Sequence, residues 1–264
     1  MLKGDWLVAK NKDSILYVFT VAFSVCLVCA VAVASAAVGL RSLQERNKEL
    51  DLKSNILAAA GLLQEGVSVE EAFSQIETRL VNIDTGKFSD EFDVDTFDPV
   101  AAVRDPAITT ALSKEEDIAA IKRRENYTEV YLVLNSEGGI ETLILPIRGY
   151  GLWSTLWGFI ALESDLNTVA GLGFYSHTET PGLGGEVDNP AWKAQWPGKE
   201  ILNESGELAI EVTKGGNADP NSSYQVDGLS GATLTTKGVN NLVRFWLGED
   251  GFQPFINNLK AGGA

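Results

Sequence analysis

Between Ile15 and Leu40 the chain runs 26 residues, ILYVFTVAFSVCLVCAVAVASAAVGL, without a charged side chain. As a helix this stretch is about 39 Å long, against a bilayer hydrocarbon core of about 30 Å. Backbone groups in hydrocarbon must bond within their own segment, so the stretch is expected to fold as a transmembrane helix and whatever follows as an anchored domain. A cleaved signal peptide is the rival, since VASAA supplies small residues of the right kind, but its apolar region would be only about 7–15 residues long. Lys3, Lys10 and Lys12 precede the span and Arg41, Arg46, Lys48 and Lys53 follow it, so basic residues do not decide the orientation.

Beyond Leu40 the chain carries 18 basic and 34 acidic residues, a formal charge of −16, which makes nucleic acid and anionic lipid surfaces poor partners. Both cysteines, Cys26 and Cys29, lie inside the apolar span, so the remainder has neither disulfide nor thiol chemistry. One turn apart in a membrane helix they read as small packing residues, with a metal site shared with a neighbouring protein as the alternative.

Residues 42–64 continue as a charged helix, a stalk leaving the membrane. Ser68 with Glu71, ahead of Val69, Phe73, Ile76 and Leu80, and Ser113 with Glu116, ahead of IAAIKRR, match capping boxes and predict two more helices. The acidic stretch between them, residues 84–106, has no assigned structure; its carboxylates lack calcium-loop spacing and read as solvated surface. From Tyr127 the pattern changes. YTEVYLVLN, a turn at 136–139 and IETLILPIRGYG form a hairpin, followed by strand-like LWGFIALES, NTVAGLGFYSH and LAIEVTK near 208–214. Five strands with short links predict an antiparallel sheet, and helices over 234–247 and about 251–260 would cover one face. The expected class is α+β, with residues 1–14, 15–40, 41–125 and 126–264 as N-terminus, span, stalk with irregular segment, and main domain.

Two motifs point to chemistry. In DGLSGATLTTKG, residues 227–238, small residues precede Thr233 at the start of an amphipathic helix. Helix N-termini present unpaired N–H groups and a positive dipole end, so a phosphate fits there, and Gly231 and Ala232 let it approach the backbone. The plainer alternative is that Ser230 or Thr233 merely caps the helix. In HTETPGLGG, His177 to Gly185, the only histidine of the chain precedes a turn built on Pro181, Gly182, Gly184 and Gly185. One histidine excludes a histidine-based metal cluster, and a Ser230–His177–Asp227 relay lacks the G-x-S-x-G elbow.

These two motifs, together with RGYGLWS at 148–154, AAVGLR at the membrane exit, ILAAAGL after it and the single span, resemble the NqrC family, the C subunits of the bacterial Na+-translocating NADH:quinone oxidoreductases or Nqr complexes. The G subunits of Rnf-type complexes share the S-G-A-T core and are the neighbouring alternative. The resemblance implies FMN bound covalently through its phosphate to Thr233, installed by a separate flavin transferase that uses FAD and a divalent metal. It further implies that Ser230, Gly231, Ala232 and Leu234 cradle the phosphate. His177, Glu179, Thr180, Gly182, Leu183, Gly184, Leu152 and Trp153 would surround the ring, and Asp227 would organise the loop or contact the transferase. Lys214 is the candidate cation and a solvated strand end its alternative; for Trp153 the alternative is a core tryptophan.

The chain has no dinucleotide-binding fingerprint, and one uncharged span cannot form a sodium pathway alone. No catalytic residue for NADH oxidation and no metal site are therefore expected on this chain. The resemblance implies an electron relay among the Nqr subunits A, B, D, E and F. Electrons from NADH would enter at F, cross an iron–sulfur centre at D and E, reach this FMN and pass to the FMN of B, then to riboflavin and quinone. Residues 1–14 would lie in the cytoplasm of a bacterial inner-membrane protein and the flavin domain in the periplasm. A membrane-anchored binding or scaffold domain, with S-G-A-T as a simple cap, is the alternative of another class.

Overall fold

The computed structural model describes residues 15–63 and 66–264. The three lysines ahead of the span and Gln64, the last residue expected of the stalk, lie outside the described residues. The chain divides into two compact units, Met1–Glu49 and Leu50–Ala264. Helix α1 (Ile15–Ala59) runs uninterrupted for 45 residues and stops short of residues 60–63, which the stalk helix was expected to include; its apolar part, with a mean hydropathy of 2.6, is long and apolar enough to cross a membrane. Within it the hydroxyls of Thr20 and Ser24 donate to carbonyls one turn back, at 2.7 Å each, so neither needs water.

The second unit is an antiparallel sheet with both faces covered. Its strands are β1 (Ile76–Asn82), β2 (Lys87–Phe88), β5 (Tyr127–Leu134), β6 (Ile140–Tyr150), β7 (Thr155–Glu163) and β8 (Val169–Ser176), in the order β2-β1-β5-β6-β7-β8. Alternate side chains go to opposite faces. Val130, Leu132, Leu143, Leu145, Leu156 and Ile160 join the main core with helices α5 (Thr233–Trp246) and α6 (Gln253–Lys260). On the other face Tyr131, Val133, Ile144, Phe159 and Ala161 are sealed by Ile56, Leu57 and Ala59 at the end of α1. Two covered faces explain why these strands read as almost continuous apolar runs. Two short ribbons complete the unit, β3 (Thr109–Ala111) with β4 (Arg123–Glu125), antiparallel, and β9 (Glu211–Val212) with β10 (Gln225–Val226), parallel; the short helix α4 (Pro190–Lys193) lies between β8 and β9 in the chain.

The class is α+β as expected, and four of the five expected strands lie in the main sheet. The fifth, LAIEVTK, contributes only β9, outside it. Both capping boxes need correction as helix signals. Ser68 caps a helix of five residues, α2 (Val69–Phe73), after which Ile76 and Leu80 stand in β1, paired with β5 from Ile76↔Val133 to Asn82↔Tyr127. Ser113 and Glu116 do make the reciprocal bonds, at 2.8 and 3.3 Å, yet no helix follows. The carboxylate of Asp117 instead accepts the N–H groups of Ile121 and Lys122, and Ala120 and Lys122 adopt φ of 53° and 65°, which end the helical path. Within 84–106, Asp98 caps the short helix α3 (Pro99–Ala102).

Candidate functional site

The loops carrying both motifs meet because of strand direction. β6 ends, β7 begins and β8 ends at the same end of the strands, so the 151–154 turn between β6 and β7 lies beside the segment that follows β8. Helix α5 passes the end of β6 at close quarters. A Cβ on Gly149 would stand 2.4 Å from that of Leu242, and one on Gly238 would stand 2.5 Å from the carbonyl oxygen of Tyr150. Those glycines of RGYG and TTKG are therefore the contact by which α5 brings Thr233 to the turn.

Thr233 is the first residue of α5 and is exposed. The residue before it, Ala232, is the N-cap and no side chain caps the helix, which removes the plainer alternative in which Ser230 or Thr233 serves as the cap. The amides of Thr233, Leu234 and Thr235 have no acceptor among the described residues, whereas that of Thr236 bonds to the carbonyl of Ala232. Gly231 has a φ of 76°, and an added Cβ there would meet only Leu183, at 3.4 Å. Ser230 and Gly231 are exposed and Ala232 is buried.

The other two threonines of the first turn are placed differently. Thr235 is 1% exposed and its hydroxyl donates to Glu179 Oε2 at 2.7 Å; Thr236 is 4% exposed and its hydroxyl accepts the N–H of Leu229 at 3.0 Å. Neither was singled out from sequence, although the repeated threonine of TLTT was the available signal.

Glu179 is buried, and its Oε1 accepts the N–H groups of Leu152, Trp153 and Ser154 at 3.1, 2.9 and 3.3 Å. Burial alone would raise its pKa; the hydroxyl of Thr235 and these three amides outweigh burial and hold it below the ordinary carboxylate range. The space around the carboxylate is closed. A Cβ on Gly151 would come within 2.7 Å of Oε1 and one on Gly184 within 2.7 Å of Oε2. Leu152 and Trp153, which this carboxylate holds by their backbones, turn their side chains to solvent. Trp153 is 64% exposed, so it is not a core tryptophan, and Leu183 and Leu234 are 46% and 58% exposed nearby. Thr180 and Gly182 form the outer turn, with Gly182 at φ of 76° and the amides of Leu183 and Gly185 bonded to the carbonyl of Thr180.

His177 acts within the loop. Its Nδ1 accepts the N–H of Glu179 at 3.2 Å, so Nε2 carries the proton toward Asp188 Oδ2 at 2.8 Å. Asp227 accepts the amides of Gly216, Asn217 and Ala218, and its own carbonyl takes the indole N–H of Trp192. With His177 and Asp227 so engaged, no Ser230–His177–Asp227 relay exists; Asp227 organises the loop. Lys214 is exposed, in the loop whose Gly215 packs against the backbone of Gly228 and Ser230, which places the lysine's loop beside the S-G-A-T segment. Among the described residues no group of acidic, histidine or cysteine side chains could hold a metal ion.

Comparisons with known proteins agree on one family. The FMN-binding domain model matches residues 151–248, which hold the turn, the loop and α5. The chain is 54% identical over 261 residues to the C subunit of the Na(+)-translocating NADH-quinone reductase of Pseudomonas aeruginosa, an alignment that spans 96% of this chain and 99% of that one. It is 48% identical to the same subunit of Yersinia pestis, with 96% of each chain aligned. Among solved structures it is similar to Shewanella oneidensis NqrC, with a TM-score of 0.75 and 37% identity over 82% of this chain and 99% of that chain. The Parabacteroides distasonis protein of the same name matches with a TM-score of 0.62 and 32% identity over 82% of this chain and 96% of that one. The chain belongs to the NqrC family, the C subunits of the Na(+)-translocating NADH-quinone reductases, with an FMN-binding domain over residues 151–248.

Proposed function

We propose that Thr233 carries FMN through an ester between its hydroxyl and the flavin phosphate, and that the chain relays electrons within the Nqr complex toward quinone, in step with sodium export. The observation that carries this reading is the unequal placing of three threonines on one helical turn. Thr235 and Thr236 are buried with their hydroxyls bonded, whereas Thr233 is exposed at an uncapped helix start. The three unbonded amides and the positive end of α5 suit a phosphodiester. The exposed side chains of Leu152, Trp153, Leu183 and Leu234 suit an apolar ring, and Lys214 supplies a cation in a strongly acidic chain.

An unactivated alcohol does not attack phosphorus unaided, so attachment needs a partner enzyme. The oxygen of Thr233 forms the new P–O bond at the flavin-side phosphorus of FAD, the pyrophosphate P–O bond breaks and AMP leaves with the electron pair. The threonine proton passes to the transferase, and no oxidation state changes. Bound flavin supplies one- and two-electron carriage; the amides and side chains around it set the potential. Helix α1 anchors the chain in the inner membrane, with residues 1–14 cytoplasmic and residues 41–264 in the periplasm, in contact with the other Nqr proteins.

The test is the attachment residue. Thr233→Val co-produced with a flavin transferase should lose all flavin fluorescence in a denaturing gel, while Thr235→Val and Thr236→Val keep it. Peptide mass spectrometry should place FMN, less water, on the peptide containing Thr233. Flavin on any other residue would sink the assignment. A C-terminal alkaline phosphatase fusion should be active, and activity of a cytoplasmic reporter there would overturn the orientation.

A further inference from the structure

We infer that Glu179 is the positioning residue for flavin attachment, fixing the first turn of α5 against the two loops so that the hydroxyl of Thr233 alone is presented. The inference rests on the reading that Thr233 is the attachment residue. A buried carboxylate is a costly way to fill space beside a site meant for a phosphate, because its desolvation must be offset and its charge repels the ligand. Leu, of similar volume, would avoid both costs. What a carboxylate does that Leu cannot is join three segments at one point: the amides of residues 152–154 on Oε1, the hydroxyl of Thr235 on Oε2, and its own backbone in the 177–185 loop.

That junction bears on Thr233 in two ways. The bond to Thr235, two residues along the same turn, fixes the rotation of α5 about its axis and hence the direction in which Thr233 points. It also occupies the hydroxyl that would compete for modification. The absence of side chains at Gly151 and Gly184 is what allows the carboxylate into this position, since a Cβ at either would stand 2.7 Å from one of its oxygens. Glutamine has the same shape and can accept the amides through its oxygen while its NH2 group donates to Thr235, so it should preserve the junction without the charge.

The experiment uses the full-length protein in detergent, with purified flavin transferase, FAD and Mg2+, and follows attachment by gel fluorescence and peptide mass. Wild-type protein labelled anywhere but Thr233 would defeat the underlying reading; the following comparisons address Glu179. Glu179→Ala should lower kcat for attachment tenfold or more with little change in KM for the protein substrate, and should yield some label on Thr235. Val130→Ala, a core change remote from the site and adjusted by temperature to equal thermal margin, controls for lost stability. Glu179→Gln should stay within threefold of wild type. If Glu179→Ala does not fold, Thr235→Val decides, since it cuts the Oε2 contact alone and should slow attachment at least threefold. Labelling of Glu179→Ala, or of Thr235→Val where that variant decides, at the rate of the control would make Glu179 merely structural. Failure of Glu179→Gln to rescue would show that charge, not position, is the requirement, and would overturn the inference.

Discussion

Glu179 and Glu129 are both withdrawn from water on the same sheet domain, yet their acidities move in opposite directions. Glu179 has little exposed surface, and its four donors outweigh the effect of burial and hold its pKa below the ordinary range. Glu129, half-buried on β5, has one donor, the hydroxyl of Tyr131 at 2.7 Å, and burial, foremost, raises its pKa, with the nearby charge of Asp98 adding to the shift. Burial pushes both carboxyls toward higher pKa, and only the one with four donors aimed at it overcomes that push. The first arrangement is a junction of loops, the second a strand residue with a single neighbour.

The contrast is sharpest on deletion. Glu179→Ala should destabilise the protein by about 3 kcal/mol or more, because three amides and a hydroxyl lose their acceptor in a closed space. Glu129→Ala should cost less, about 1–2 kcal/mol, since only one hydroxyl, that of the buried Tyr131, loses its partner. Thermal melts of the two variants measure the difference, and equal losses would break the comparison.

A next-largest effect is expected from the glycines. Gly184→Ala would set a Cβ 2.5 Å from the hydroxyl oxygen of Thr235 and should cost about 2 kcal/mol by overpacking. Gly182→Ala, with open space around it, should cost only the strain of its positive φ, about 1 kcal/mol. The same melts rank them, and a reversed order would show that the carboxylate is not enclosed as described.

The smallest effect is in pH. Glu179 has a lower pKa folded than unfolded, so its contribution is full above the ordinary glutamate value of about 4.3 and is lost as pH falls through the lower folded value. The melting-point gap between wild type and Glu179→Gln should therefore shrink from pH 7 to pH 3. Glu129 has the higher pKa folded, so its contribution is present at low pH and lost as pH rises through the raised value. Glu129→Gln should accordingly gain on wild type from pH 3 to pH 7, and parallel trends for the two variants would break the contrast.

The hairpins from Tyr127 to Ser176 were legible because apolar runs punctuated by turn residues leave few other foldings. β1 was not, because Val69, Phe73, Ile76 and Leu80 follow helical spacing behind a true cap, and only pairing with β5, some 50 residues on, makes a strand of its second half. The site divides the same way. Thr233 and the glycine-rich loop stood out as local patterns. The bond from Thr235 to Glu179 joins residues 56 apart and left no trace in either neighbourhood. The role of Gly184 was equally hidden, since it depends on a close approach and not on a turn.

The end of α1 is more than the exit of an anchor. Ile56, Leu57 and Ala59 are nearly inaccessible, and a Cβ on Gly171 of β8 would stand 2.4 Å from the carbonyl oxygen of Ala59. A soluble fragment beginning at Arg41 retains this cover, whereas one beginning at Leu62, after the last helical turn, would bare Tyr131, Ile144 and Phe159 on one whole side of the sheet. A protease that clips between Arg41 and Leu50 would release a folded domain; one that clips beyond Ala59 would release an aggregating one.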